Sequence, residues 1–318
     1  MGSTGGDRPM TVLFALLAAG GYGFADFIAG VCSRRSNATL VSMFSQGAAG
    51  IVVLILTLVS GSANSTSAML WGALAGVGSA FGVLCLYRGF SIGRISVVAP
   101  VSAVTAASVP ALVGVLLGER PSTIAWLGIA LAIPATALIG RVGDEHVGPS
   151  GFLEGLGAGI AFSVMFIGLH GAGNAAGLWP VVWLSLVAVV ILLPLALRAL
   201  PGDQGVIFSP RVFLGVTVSG ALAGLASAGF LIASAGGLAI SSVITSLYPA
   251  FTVLLAFLFL HERVRHVQAA GLVMAAASVV LVTIYRPFLS ALVLTWEFLA
   301  PGYGLFSTGG ATRVIVCG

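Results

Sequence analysis

Apolar residues run along this chain in blocks of about twenty, broken by short polar corners. A membrane-crossing helix needs about twenty consecutive apolar residues. On that ruler the blocks fall at approximately 11–31, 39–59, 68–87, 94–117, 122–140, 152–171, 177–198, 211–234, 238–260 and 267–285. The sequence therefore predicts ten helices. The most polar interval among them is 141–150 (RVGDEHVGPS), which divides the ten into two sets of five.

The two sets repeat one another. Ser91, Gly93, Leu112, Leu117, Glu119-Arg120, Gly128 and Ala132 are matched, 143 residues later, by Ser234, Gly236, Leu255, Leu260, Glu262-Arg263, Gly271 and Ala275. Each copy is an apolar run, a charged corner and another apolar run, the mark of an internally duplicated membrane protein. Five is odd, so the second set enters the membrane from the opposite side. The predicted fold is an all-α polytopic membrane protein of ten transmembrane helices, built as two inverted five-helix repeats. The expected organisation is a polar leader (1–10), a first repeat (11–140), a connecting loop (141–150), a second repeat (151–286) and a tail (287–318) to which the sequence assigns no role.

Composition supports this class. Hydrophobic residues make up 58% of the chain and charged residues 7%, with a mean hydropathy of +1.14. A soluble domain carries roughly 25% charged residues. The 44 glycines suit helices packed closely through small faces. All 13 basic residues are Arg, so a P-loop of the usual kind and a Schiff-base lysine are excluded. Cys32, Cys85 and Cys317 are scattered, with neither metal-ligand nor disulfide spacing. The net charge of +4 is spread thinly and gives no nucleic-acid footprint. Met1-Gly2 opens a myristoylation-like pattern that fails at Gly6. Residues 11–30 read as a first span and not as a cleaved signal, because they end in Arg34-Arg35 without an A-x-A site. Arg34, Arg35, Arg88, Arg94, Arg141, Arg198, Arg211, Arg263 and Arg265 lie in corners after odd-numbered spans, against Arg8, Arg120 and Arg286 on the other side. By the positive-inside rule, both ends of the ten-span unit would then be outside.

The apolar run with Pro100 or Pro249 that ends in Leu-Gly-Glu-Arg (117–120) or Leu-His-Glu-Arg (260–263), followed by a Gly-bearing helix, resembles the EamA-type repeat of the drug/metabolite transporter superfamily. The first span, GGYGFADFIAG (20–30), resembles one of its subgroups. The resemblance covers about 11–285 and implies a ten-helix secondary transporter, often an exporter of metabolites, amino acids or drugs. Two features depart from it. Ala106 stands where the first repeat often has the proline that matches Pro249, and family members are drawn with both ends cytoplasmic.

Asp26 carries the sharpest chemistry. An acid within a span is costly unless it is used or paired. It either couples flux to protons or is paired with Arg34, Arg35 or Arg88. Arg88, beside Tyr87 and Phe90, is a partner for a substrate carboxylate or a positive-inside anchor. Glu119, Arg120, Glu262 and Arg263 sit at helix ends as clips, caps or gate hinges. His170 is a relay or an interfacial residue, and Glu154 is a helix N-terminal charge. His261-Glu262 with His266 fails as a zinc motif, since its histidines are five apart.

Prolines mark cavity-lining helices, because broken backbone at membrane depth is tolerated where it lines a cavity. These are Pro100 and Pro110 in the fourth span, Pro180 and Pro194 in the seventh, and Pro249 in the ninth. Tyr22, Phe24, Phe44, Phe81, Phe162, Phe166, Trp183, Phe230 and Tyr248 are candidate lining. Trp71 and Trp126 read as interfacial, and Gly72-Gly76, Gly78-Gly82 and Gly151-Gly155-Gly159 read as packing faces. The sequons at Asn37 and Asn64 fall in short corners.

The expected function is secondary transport of a small metabolite, amino acid or drug-like solute by alternating access, coupled to protons or exchange, in the plasma (inner) membrane. An uptake permease of the same fold, or a solute-binding or structural membrane protein, is the alternative. No catalytic constellation, metal site or cofactor is expected. The expected partners are the solute and the lipid bilayer, with a homo-oligomer left open.

Overall fold

The computed structural model describes residues 8–92, 95–119, 121–139, 151–199, 209–260 and 266–284. These residues form α1 (Arg8–Ser33), α2 (Ala38–Ser60), α3 (Thr66–Ile92), α4 (Ile95–Leu116), α5 (Thr123–Ile139), α6 (Phe152–Ala172), α7 (Trp179–Ala199), α8 (Pro210–Ser234), α9 (Leu238–Thr245), α10 (Tyr248–Leu260) and α11 (His266–Ile284). Six of them, α1, α2, α3, α6, α7 and α8, are each long and apolar enough to cross a bilayer. Shorter apolar stretches, Val101–Leu116 and Leu238–Thr252 among them, accompany these six. The protein is an all-helical, multi-pass membrane protein.

Local chemistry sets the helix ends. Asn37 caps α2, its side chain accepting from the Thr39 amide at 2.9 Å. Gly61 closes the same helix in the left-handed region, φ 66°. Ser209 caps α8, and Pro210 occupies the first turn, where a missing N–H costs nothing. The sequon asparagines are thus in use: Asn64 accepts from the Ser65 amide at 2.9 Å and from the Trp183 indole at 3.1 Å.

Pro249 and Pro100, both candidate helix breaks, differ in the structure. The predicted ninth span is two helices, α9 and α10, interrupted at Ser246-Leu247. Pro249, second residue of α10, has no N–H for the Thr245 carbonyl and disfavours helical backbone at Tyr248. No such break occurs at Pro100, where α4 runs through as one helix. Pro100 is its sixth residue, so the single bond it forgoes lies in the opening turn. Pro134 and Pro194 likewise lie inside continuous helices.

Packing follows the internal repeat. In the first repeat α1 packs on α8, and in the second its counterpart α6 packs on α3. The α2–α8 and α7–α3 pairs are exchanged in the same way, while α2 meets α7 directly. Without a hydrophobic drive between helices in lipid, association depends on close backbone approach and interhelical hydrogen bonds. Both are present. A Cβ on Gly78 would lie 2.5 Å from the Ala161 carbonyl of α6, and one on Gly159 2.6 Å from the Ser102 carbonyl of α4. Gly72 and Gly76 press on α7 and Gly155 on α4, whereas Gly151 lies outside the helix at its N-cap. Ser219 donates to the Ala25 carbonyl at 2.8 Å, joining α8 to α1, and Ser278 donates to Gly128 at 2.7 Å, joining α11 to α5.

Candidate functional site

A cavity lies where both repeats meet. Helix α1 supplies Tyr22 and Asp26, one turn apart on one face. Helix α3 supplies Ser79, Val83 and Tyr87 at the same spacing, and α6 supplies Phe162 and Phe166. Gln46, Ala106, Ser185, Ser227 and Tyr248 come from α2, α4, α7, α8 and α10. The enclosed space is about 40 Å³.

Asp26 is the one charged side chain among the described residues of this lining, and it is 8% exposed. The Tyr87 side chain, on α3, is its polar neighbour in the lining. Among the described residues it has no ion pair, so the expected alternative of pairing with Arg34, Arg35 or Arg88 does not describe this structure. The other polar groups are held by neighbours. Tyr22 Oη and Ser227 Oγ are 2.8 Å apart, Gln46 Nε2 donates to Ser79 Oγ at 2.8 Å, and Tyr248 Oη donates to the Ala99 carbonyl at 3.3 Å. Ser185 is different: it is 1% exposed and its Oγ has no hydrogen-bond partner among the described residues. Behind the polar groups Phe166 stacks on the buried Phe230 at 4.3 Å between centroids, with Tyr22 6.4 Å from Phe166. The Tyr248 backbone begins the helix after the break, which brings its ring to the cavity.

Five of the aromatic and acidic candidates therefore share this cavity: Tyr22, Asp26, Phe162, Phe166 and Tyr248. Phe24 and Phe81 do not, being 43% and 48% exposed on the outer surface. Each lies two residues from a lining position, about 200° around the helix. Phe44 is exposed too, at 39%. Trp183 borders a separate groove between α2 and α7. Arg88 is exposed and lines a different hollow with Ser33, Asn37 and Thr39 at the α1–α2 corner. A residue adjacent to Tyr87 on a helix points about 100° away from it, which takes Arg88 out of the cavity.

Glu119 forms a second constellation. Its carboxylate accepts from the backbone amides of Leu238 and Ala239, the first two residues of α9. An acid from the first repeat thus caps a helix of the second, where the dipole favours negative charge. The expectations for Arg120, Glu262 and Arg263 lie outside the described residues, as does the side chain of Pro100. Pro249 is buried at the start of α10. His170 Nδ1 is 3.0 Å from the Ser234 carbonyl, tying the end of α6 to the end of α8 away from the cavity. Gln46, Ser79, Ser185 and Ser227 were not singled out from the sequence. The signal for Gln46 was present, since an amide in the middle of a span is costly unless it is hydrogen-bonded. The serines carry no such signal, because in helices they commonly bond to their own backbone.

Comparison with known proteins gives the same architecture. No curated protein matches the chain. A solved structure, described only as a crystal structure of a protein, is similar with a TM-score of 0.71 at 16% identity, over 89% of this chain and 99% of the other. That likeness concerns the fold alone. The family model for the EamA-like transporter family matches twice, over residues 9–141 and 149–284. Two copies of the repeat, covering nearly all of the helical region on both sides of the polar interval, place this chain in the EamA-like transporter family.

Proposed function

We propose that the protein is a secondary active transporter that exports a small solute across the plasma (inner) membrane by alternating access, coupled to protons or to exchange. The observation that carries this is Asp26, a buried acid without a counter-ion among the described residues, at the seam of the two repeats. A carboxylate in low dielectric without a partner is costly, and binding or exchanging a cation or proton relieves that cost. Placement at the seam lets the same group face either side as the repeats rock.

Ten spans in two inverted sets are the architecture proposed for this work. Supporting the inversion, the Trp179 indole after α6 donates to the Ser62 carbonyl after α2 at 2.8 Å, whereas α1 ends at the short corner that begins α2. The ends of α1 and of its counterpart α6 therefore lie at opposite ends of α2. Helix α9 with α10 counts as one interrupted span, matching α4.

The test compares the media of cells expressing wild type, Asp26→Asn and empty vector. A solute class that accumulates outside only with wild type, and falls at least tenfold with Asp26→Asn at equal membrane abundance, is the expected outcome. Three identical media would contradict export and leave an uptake permease or a solute-binding membrane protein as the better description.

A further inference from the structure

Three contacts gather at one end of the helix bundle. Trp179, after α6, donates to the Ser62 carbonyl after α2. His170, near the end of α6, lies 3.0 Å from the carbonyl of Ser234, the last residue of α8. Glu119, just past α4, accepts from the amides of Leu238 and Ala239, which open α9 immediately after α8. Helices α2, α4, α6 and α8 therefore terminate together here, and Glu119 joins the first repeat to the second.

The form of that bond is unusual. A helix ordinarily takes its cap from the residue before its first turn. At α9 that residue is Gly237, with φ 130° and no side chain to offer. The acceptor comes instead from the other repeat, 119 positions away. Glycine keeps the room for it. A Cβ on Gly114 would lie 3.0 Å from the Glu119 carboxyl carbon and 3.1 Å from the Ala239 nitrogen, and one on Gly237 3.3 Å from a Glu119 oxygen. A cap within α9's own sequence would persist in any arrangement of the repeats. This one exists only while the end of α4 stays against the start of α9. When the two part, the first amides of α9 lose their acceptor.

We propose that Glu119 is a latch that holds the transport pathway shut at this end, and that opening toward the Ser62 side requires its carboxylate to leave the α9 amides. This rests on the transporter function proposed above, in which the repeats rock around the cavity. Helix α9 joins the latch to that cavity. Its eight residues span about 12 Å, and beyond them come the break at Ser246-Leu247 and Tyr248 in the lining. A solute that shifts Tyr248 therefore acts on the far end of the helix that Glu119 holds.

Thiol labelling of the full-length protein in proteoliposomes tests the latch. Ala223 lines the cavity from α8. Ala223→Cys, in a chain lacking its native cysteines, is exposed to an impermeant thiol reagent from one side or the other. Ser62→Cys and Ser36→Cys, at opposite ends of α2, identify the sides. Glu119→Ala is expected to raise labelling from the Ser62 side about five- to thirtyfold, the weight of a lost cap. Labelling from the Ser36 side stays at or below the wild-type rate, which also reports that the variant is folded. Glu119→Gln, which keeps one acceptor, falls between the two and is read in the same way should Glu119→Ala fail to reach the membrane.

A role confined to stability would loosen the bundle and raise both rates together, which overturns the latch. An unchanged rate from the Ser62 side overturns it as well. In either case Asp26-dependent solute release, measured separately, decides whether the transporter function stands. Absence of labelling from both sides, together with absence of that release, would remove the transporter function and the latch with it.

Discussion

At the scale of single residues, Asp26 and Glu119 show how differently two acids can be housed in an apolar chain. Asp26 has the polar side chain of Tyr87 nearby and space beside it. Glu119 is satisfied by two backbone amides, Ala239 at 2.9 Å and Leu238. The second arrangement is a helix cap, worth about 1–2 kcal/mol when removed. Glu119→Ala is expected to lower the unfolding midpoint in detergent measurably, and Glu119→Gln, which keeps one acceptor, by less. Equal midpoints for wild type and Glu119→Ala would show that the cap contributes nothing to stability. Asp26 was visible in the sequence because acids in spans are rare. The orientation of its neighbours was not. Tyr22 and Phe24 look equally good beside it, yet only Tyr22 returns to its face after one turn, and a sequence this apolar gives no polar stripe from which to read the face.

At the scale of elements, helix positions were legible to within a few residues, because runs of apolar residues and short corners specify them. The prolines point to a break at Pro249 but equally to one at Pro100, where α4 is continuous. Pro100, Pro134 and Pro194 are tolerated inside helices, so proline alone does not announce a break. The run of Ser241, Ser242, Thr245 and Ser246 before Pro249, all buried, supplies the local hydroxyls that make an interrupted helix affordable in a membrane. Three of these donate to carbonyls: Ser241 to Gly237 at 2.6 Å, Ser242 to Ala239 at 3.2 Å, and Thr245 to Ala15 at 3.4 Å. Pro249→Ala restores the missing donor. It is expected to slow amide exchange at Ser246 and Leu247 severalfold and to reduce transport turnover, because Tyr248 is re-aimed. Unaltered exchange would mean that the surrounding packing, and not Pro249, holds the break.

At the scale of the molecule, the internal repeat is the most informative statement in the sequence, since it survives as exchangeable helix pairs. Membrane orientation is not settled by the same means: the arginine count puts both ends outside, and the family resemblance puts them inside. Arg88 illustrates why, being an exposed arginine at a helix end whose weight in such a count depends on depth. Single cysteines introduced at Ser36, Ser62 and Gly177 in a chain lacking its native cysteines resolve this. An impermeant reagent added to intact cells is expected to label Ser62→Cys and Gly177→Cys together and Ser36→Cys oppositely. Labelling of all three from one side would contradict the inverted arrangement.

The repeats are alike in plan but not in mechanics. Helix α4 passes Ala106 without interruption, while its counterpart is interrupted before Pro249. In the alternating-access cycle proposed above, an uninterrupted helix in one half and an interrupted one in the other would make the barriers to opening toward the two sides of the membrane unequal. Such a device works as a kinetic rectifier. A coupling gradient alone decides which way solute moves at steady state, but the maximal rates measured in the two directions differ. Detailed balance then requires the half-saturation constants on the two sides to differ in the same proportion.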